Sequence, residues 1–342
     1  MRGVLGAVAV RVLLVFLLAV FSVAAIVYRF VPSDSEFSRE DPVYVRIANL
    51  PVVQGLPLYL ALARGYFDEV DLKIEVTRFE APNQIVDALL SSNVDFVSPS
   101  GAMGILGVAS FRRPGKLKIY SAAGGSSLVQ NDAILVRRDS EFTALEDLKG
   151  KRFGILPGIQ WRTIAKHIFA QMDIDVEGDL TLVELAPALQ VPALASGEID
   201  ALLGVEPMPT VAKKKGIARE LISKATVELG VSDPFYAGAG AFRVEFEERH
   251  PEVVAKVLAV LRRAIEDLRR DPSAARQYLK GNTPLDDALI AEVPICIFKM
   301  YDELEQRDLD AIQKFYDIFS TYGVINGKMN FRDILYSPVP PR

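Results

Sequence analysis

From Val43 onward, short runs rich in β-branched and aromatic residues alternate with longer stretches whose apolar positions recur at helical spacing. YVRIAN (44–49), LKIEVTRF (72–79), VDFVSPS (94–100) and LKIYSAA (117–123) read as strands, with LPLYLALARGYF (56–67) and QIVDALLSS (84–92) as helices between them. The same order restarts at AILVRR (133–138) and continues through KRFGIL (151–156), TIAKHIFAQM (163–172), LTLVEL (180–185), VPALASG (191–197) and IDALLGV (199–205). Strands that alternate with helices predict an α/β protein of mixed, mostly parallel sheets covered by helices.

The two stretches repeat one another. RIANLPVVQ, starting at Arg46, aligns with RFGILPGIQ, starting at Arg152, and ALLSSNVDF, starting at Ala88, aligns with ALASGEIDA, starting at Ala193. Two matches in the same order and at nearly the same interval, each at a strand–helix junction, predict two similarly built lobes. The interval is that of an α/β lobe and far too long for a solenoid repeat.

Residues 1–31 break this pattern. The run Val12–Tyr28 carries no charge and follows Arg2 and Arg11, so it is expected to act as an export signal or as a membrane anchor, with its basic flank on the cytoplasmic side. Ser22-Val23-Ala24 offers a cleavage site for the first of these, and the absence of a nearby cysteine argues against attachment through a lipidated N-terminal cysteine. Residues 32–42 form a polar linker. The chain is therefore expected to be periplasmic or otherwise extracytoplasmic.

Composition narrows the chemistry. The 342-residue chain has a net charge of −5, which provides no basic surface for nucleic acid. Its one cysteine, Cys296, sits in the apolar run VPICIF and rules out a disulfide framework; the two histidines, His167 and His250, fall in predicted helices without partners at metal-ligand spacing. No metal or cofactor is implied. There is also no P-loop, so any ATP chemistry would reside on another subunit.

In open α/β sheets ligands collect beyond the carboxyl ends of the strands. Four loops meet this description. In the first lobe, 50–54 supplies Pro51, Val53 and Gln54, and 98–101 supplies the hydroxyls of Ser98 and Ser100, which can cap the next helix or bind a ligand acceptor. In the second, LPGIQWRT (156–163) brings Gly158 for a tight turn, Gln160, Arg162 and Thr163 as donors, and Trp161, the only tryptophan, as an apolar wall. Glu206 in the remaining loop suits a ligand with an amine or several donors. Phe235 and Tyr236 could cover a cleft with an aromatic face or pack at a hinge, and Asn131 could orient a ligand or shape a turn.

ALARGYFDEVDLKIEV (61–76), LEDLKGKRFGILPG (145–158), ALASGEIDALLGVEP (193–207) and LDAIQKFYDIFSTYGVI (309–325) together make the chain resemble the nitrate-, sulfonate- and taurine-type solute-binding components of ABC importers, the NMT1/THI5-like family, which includes binders of thiamine pyrimidine precursors. That resemblance implies a periplasmic-binding-protein-like (type II) fold: lobe 1 from 43–128 and 235–342, lobe 2 from 129–234, and a ligand cleft between them. It also implies a non-catalytic role, capturing a small organic anion or zwitterion and delivering it to a permease and ATPase partner. A pyrimidine synthase of similar fold would require a histidine and a cysteine-rich iron-binding segment, and this chain offers neither in a cleft loop. A tethered sensor would need a partner for its output.

Overall fold

The computed structural model describes residues 43–338. The predicted N-terminal apolar helix and linker lie outside these residues, as does the export or anchoring role expected of them. Two sheets organise the described chain, one six-stranded and one five-stranded.

The first sheet begins with β1 (Tyr44–Asn49), α1 (Leu56–Ala63), β2 (Lys73–Arg78), α2 (Pro82–Leu90), β3 (Phe96–Ala102), α3 (Met103–Arg112) and β4 (Leu117–Gly125). The chain then crosses into the second sheet, built from β5 (Asp132–Arg137), β6 (Arg152–Ile155), α4 (Ile159–Ala170), β7 (Thr181–Glu184), α5 (Pro187–Ser196), β8 (Ala201–Val205), α6 (Met208–Lys214) and β9 (Ala218–Ser223). It returns as β10 (Phe235–Arg243), α7 (Pro251–Arg270), β11 (Ile297–Met300) and α8 (Gln306–Thr321). The strand orders are β11-β4-β10-β3-β1-β2 and β7-β6-β8-β5-β9.

The expectation of mostly parallel sheets needs correction. β1 runs parallel to β2 and β3, and β6 runs parallel to β7 and β8. The strands that follow the crossovers do not: β10 is antiparallel to β3 and β4, and β5 is antiparallel to β8 and β9. β11 adds one more antiparallel edge. A parallel βαβ unit needs a helical crossover, whereas a strand arriving from the other sheet can enter in the opposite sense.

The repeated sequence becomes repeated geometry. Arg46 donates from Nε to Asp95 at 2.9 Å, and Arg152 donates from Nε to Asp200 at 3.0 Å; each Asp backbone N–H returns a bond of 2.8 Å to the carbonyl of its Arg. Each pair ties the first strand of a βαβ unit to the turn that starts its parallel neighbour. α2 and α5 both open with proline, which suits the first helical turn because its missing N–H has no partner there anyway.

Burial follows the alternation seen in the sequence. β3, β4, β8 and β10 are buried almost throughout, as expected of strands covered on both faces. The long α7 instead buries only one stripe, including Val253, Val257, Leu261, Ile265 and Leu268.

Candidate functional site

The loops after β1 and β6 end in the same way, with proline followed three residues later by glutamine, and both glutamines cross between the sheets. Gln54 donates from Nε2 to Asn131 Oδ1 at 2.9 Å, at the threshold of β5. Gln160, on the first turn of α4, accepts at Oε1 from the backbone N–H of Gly104 at 2.7 Å and donates from Nε2 to the carbonyl of Ala237 at 3.1 Å. A third link joins the Val53 N–H to the carbonyl of Glu206 at 3.3 Å.

Between these bonds lies a cleft lined mainly by apolar groups, among them Leu50, Val52, Pro82, Leu156, Trp161 and Val205, with Gln54, Ser100 and Gln160 as its polar side chains. The remaining cavity is about 20 Å³, room for about one water molecule and too small for an organic solute. Gly104 lies in the first turn of α3, where backbone N–H groups have no partner within the helix and the helix dipole favours negative charge. Gln160 therefore places its carbonyl oxygen where an oxyanion would be stabilised.

Gly158 makes this geometry possible. It has φ +108°, and a Cβ at that position would stand 3.1 Å from Ile105 Cδ1, so a side chain would push α4 away from α3. From that start, α4 turns Gln160 and Trp161 inward. Thr163 spends its hydroxyl on the Ile159 carbonyl at 2.8 Å, and Arg162 points to the surface and pairs with Glu184 at 2.5 Å. Helical phase separates Arg162 from the cleft, since residues two apart lie on opposite faces.

On the side of the first sheet, Ser100 lines the cleft, and its Oγ accepts from the Leu50 N–H at 2.9 Å. Ser98 lies deeper, donating to Asn49 Oδ1 at 2.8 Å. Neither hydroxyl caps α3: β3 runs on to Ala102, and the helix starts without a side-chain cap. Pro51 is half-buried, and Val53 turns into the core while its neighbour Val52 faces the cleft.

Phe235 and Tyr236 stand apart from the cleft. Phe235 packs edge-on against Phe315 of α8 at 5.1 Å, and Tyr236 donates to Asp308 at 2.8 Å, a carboxylate also held by Lys299. They join the second crossover to the C-terminal helix. The two histidines are likewise remote: His167 meets Tyr322, and His250 meets Phe246.

Glu206 is fully buried. One oxygen accepts from the Thr210 N–H at 3.3 Å, and the other has no partner. Burial pushes its pKa up to about 7, opposed by the Thr210 bonds and by Lys213. Asn131 accepts from both Gln54 and Cys296, leaving the Asn131 amide nitrogen and Gln54 Oε1 without partners. Burial also raises the pKa of the Cys296 thiol. This polar knot beneath the cleft was only partly legible in the sequence, because Asn131 and Cys296 stand far from the cleft loops along the chain.

The family model described as NMT1/THI5 like matches residues 53–275. The chain belongs to the NMT1/THI5-like family. Among relatives, a putative aliphatic sulfonates-binding protein of Bacillus subtilis is 21% identical over 286 residues, 82% of either chain. A 4-amino-5-hydroxymethyl-2-methylpyrimidine phosphate synthase of Saccharomyces cerevisiae is 23% identical over 254 residues, 70% of this chain and 71% of the synthase. Among solved structures, the alkanesulfonate-binding protein SsuA from Xanthomonas axonopodis pv. citri, bound to MOPS, superposes with a TM-score of 0.70 at 21% identity, over 86% of this chain and 99% of that one. This member of the family thus has the periplasmic-binding-protein-like fold.

Proposed function

We propose that this chain is the extracytoplasmic solute-binding component of an ABC importer, closing its two lobes on a small organic anion or zwitterion and delivering it to a membrane permease. The observation that carries this reading is the reciprocal pair Gln54 and Gln160. From matching positions on opposite lobes they bridge a cleft too small for a solute, so a solute enters only when they let go and the lobes part. The lining holds no lysine, arginine or histidine, so an anionic group would be held by the N–H groups at the start of α3 and by the amides of the two glutamines.

A thiamine pyrimidine precursor is the second solute consistent with this site. The unpartnered Gln54 Oε1 in the cleft lining favours it, as does the unpartnered carboxyl oxygen of Glu206, which follows the cleft-lining Val205. Binding rather than catalysis is supported by the positions of His167, His250 and Cys296, none of which lines the cleft. The resemblance to importer components is also the basis for placing the protein outside the cytoplasm.

A thermal-shift screen of the full chain against taurine, alkanesulfonates, nitrate and aminopyrimidines tests the reading. A bound solute at a hundredfold excess over its Kd adds about 2.7 kcal/mol to stability. A sulfonate or taurine hit supports the anion reading, an aminopyrimidine hit the second. Catalytic turnover of any hit would overturn the binding-protein assignment.

A further inference from the structure

Outside the cleft, α2 and α3 leave a long groove between them. They run side by side, and each offers one face to it: Asn83, Val86–Asp87 and Leu90 from α2 with Ser91 just after it, and Ile105, Val108–Ala109 and Arg112 from α3 with Arg113 just after it. Both sets recur every three to four residues, so each is a continuous helical stripe about 12 Å long. The groove encloses about 600 Å³, within the range of small-molecule sites, whereas the cleft is nearly filled.

Its chemistry is graded along its length. Gly158 and Ile159 of lobe 2 close the end next to the cleft. Ile105 stands beside Gly158 at that end, and the middle is mainly aliphatic, with Val86, Leu90, Val108 and Ala109 beside Asp87. Arg112 and Arg113 stand at the open end, both exposed, and neither forms an ion pair among the described residues. Asp87 is the one acidic side chain in the lining, set against two guanidinium groups.

We infer that this groove is a second binding site, for an amphipathic organic anion whose apolar body lies along α2 and α3 and whose acidic group rests on Arg112 and Arg113. Arginine presents a fork of donors matched to a carboxylate or sulfonate, and the aliphatic walls reward removal of a hydrocarbon chain from water. An occupant that reaches Gly158 and Ile159 also touches both lobes. The groove is independent of the cleft reading, and either can fail alone.

Decanoate, kept below its aggregation threshold, is the probe, titrated by calorimetry into the full chain. The site predicts saturable binding, about tenfold weaker when Arg112→Ala and Arg113→Ala are combined, because two exposed charge-assisted contacts are lost. Filling the groove with Ala109→Trp should abolish binding, while any solute found for the cleft binds as before. Decanol should bind less tightly than decanoate to the unmodified chain and equally to the double arginine variant. Equal decanoate binding by all three chains, or decanol binding as tightly as decanoate to the unmodified chain, would overturn the proposal; unchanged melting temperatures of the variants confirm that they are folded.

Discussion

The two sheets, each taken with its covering helices as one lobe, solve one folding problem with the same parts and different surroundings. In lobe 2 the Arg152–Asp200 pair lies near the surface, and a single arginine holds the carboxylate below its usual range. In lobe 1 the equivalent Asp95 is 2% exposed and is shared by Arg46 and Arg243, the latter at the end of β10. Burial alone would raise the pKa of Asp95, and the bonds from the two arginines outweigh it. The returning chain therefore turns a local strand clasp into a three-member network in which Asp95 and Arg243 are buried, and lobe 2 lacks one because β10 never reaches it. The repeat supplies the geometry, and long-range topology sets its energetic weight.

Asp95→Ala sharpens this contrast most. It takes from buried Arg243 its closest carboxylate, leaving only Glu245 at 3.5 Å as a counter-charge, and should destabilise the fold by about 3–5 kcal/mol in urea denaturation. A loss no larger than that of Asp200→Ala would erase the distinction between the lobes.

Glu206 gives the next effect. Its pKa is raised on folding from an ordinary value of 4.5 to about 7, so the folded state holds a proton that the unfolded state gives up first. Its contribution is neutral below about pH 4.5 and becomes increasingly unfavourable as pH rises to about 7, reaching roughly 3 kcal/mol above that. Glu206→Gln should therefore be more stable than the parent at pH 8 and about equal to it at pH 4, by denaturation at both pH values. A stability difference independent of pH would show that Glu206 does not carry this shift.

The glutamine pair should respond unequally. Gln160→Ala removes two bonds across the cleft and leaves the Gly104 N–H and the Ala237 carbonyl to find water, favouring separated lobes by about 1–3 kcal/mol. Gln54→Ala removes one bond from a side chain whose oxygen is already unpaired, and should shift the lobes less. Small-angle scattering of the two variants would rank them by their increase in radius of gyration. The smallest effect is expected of Asp200→Ala, which breaks a half-exposed pair with a single arginine and should cost no more than about 1 kcal/mol in urea denaturation.

Much of this was readable in advance because the repeated phrases are structural phrases. Arg46 and Arg152, Asp95 and Asp200, Gln54 and Gln160 recur at matching positions, and each pair does the same job in its lobe. Trp161 and Ser100 lie at cleft-lining positions for the same reason: strand ends and helix starts face the cleft. What composition could not convey was direction. Arg162 stands next to Gln160 in sequence, yet the turn of α4 carries it to Glu184. Ser98 stands in a predicted loop, but β3 extends to Ala102 and draws its hydroxyl to Asn49, while Phe235 takes the hinge-packing alternative against Phe315. The antiparallel strands were illegible because pairing between distant segments leaves no local pattern.

The most direct test of the central claim is the distance between spin labels on Gln84→Cys and Leu189→Cys, exposed positions near the matching starts of α2 and α5, measured by pulsed electron resonance; buried Cys296 should stay unlabelled. With the solute identified by thermal shift, the account predicts a long-distance population in the free protein that collapses to a single short distance on binding. One short distance, unchanged while the solute binds, would mean that the lobes do not open and that the solute binds elsewhere.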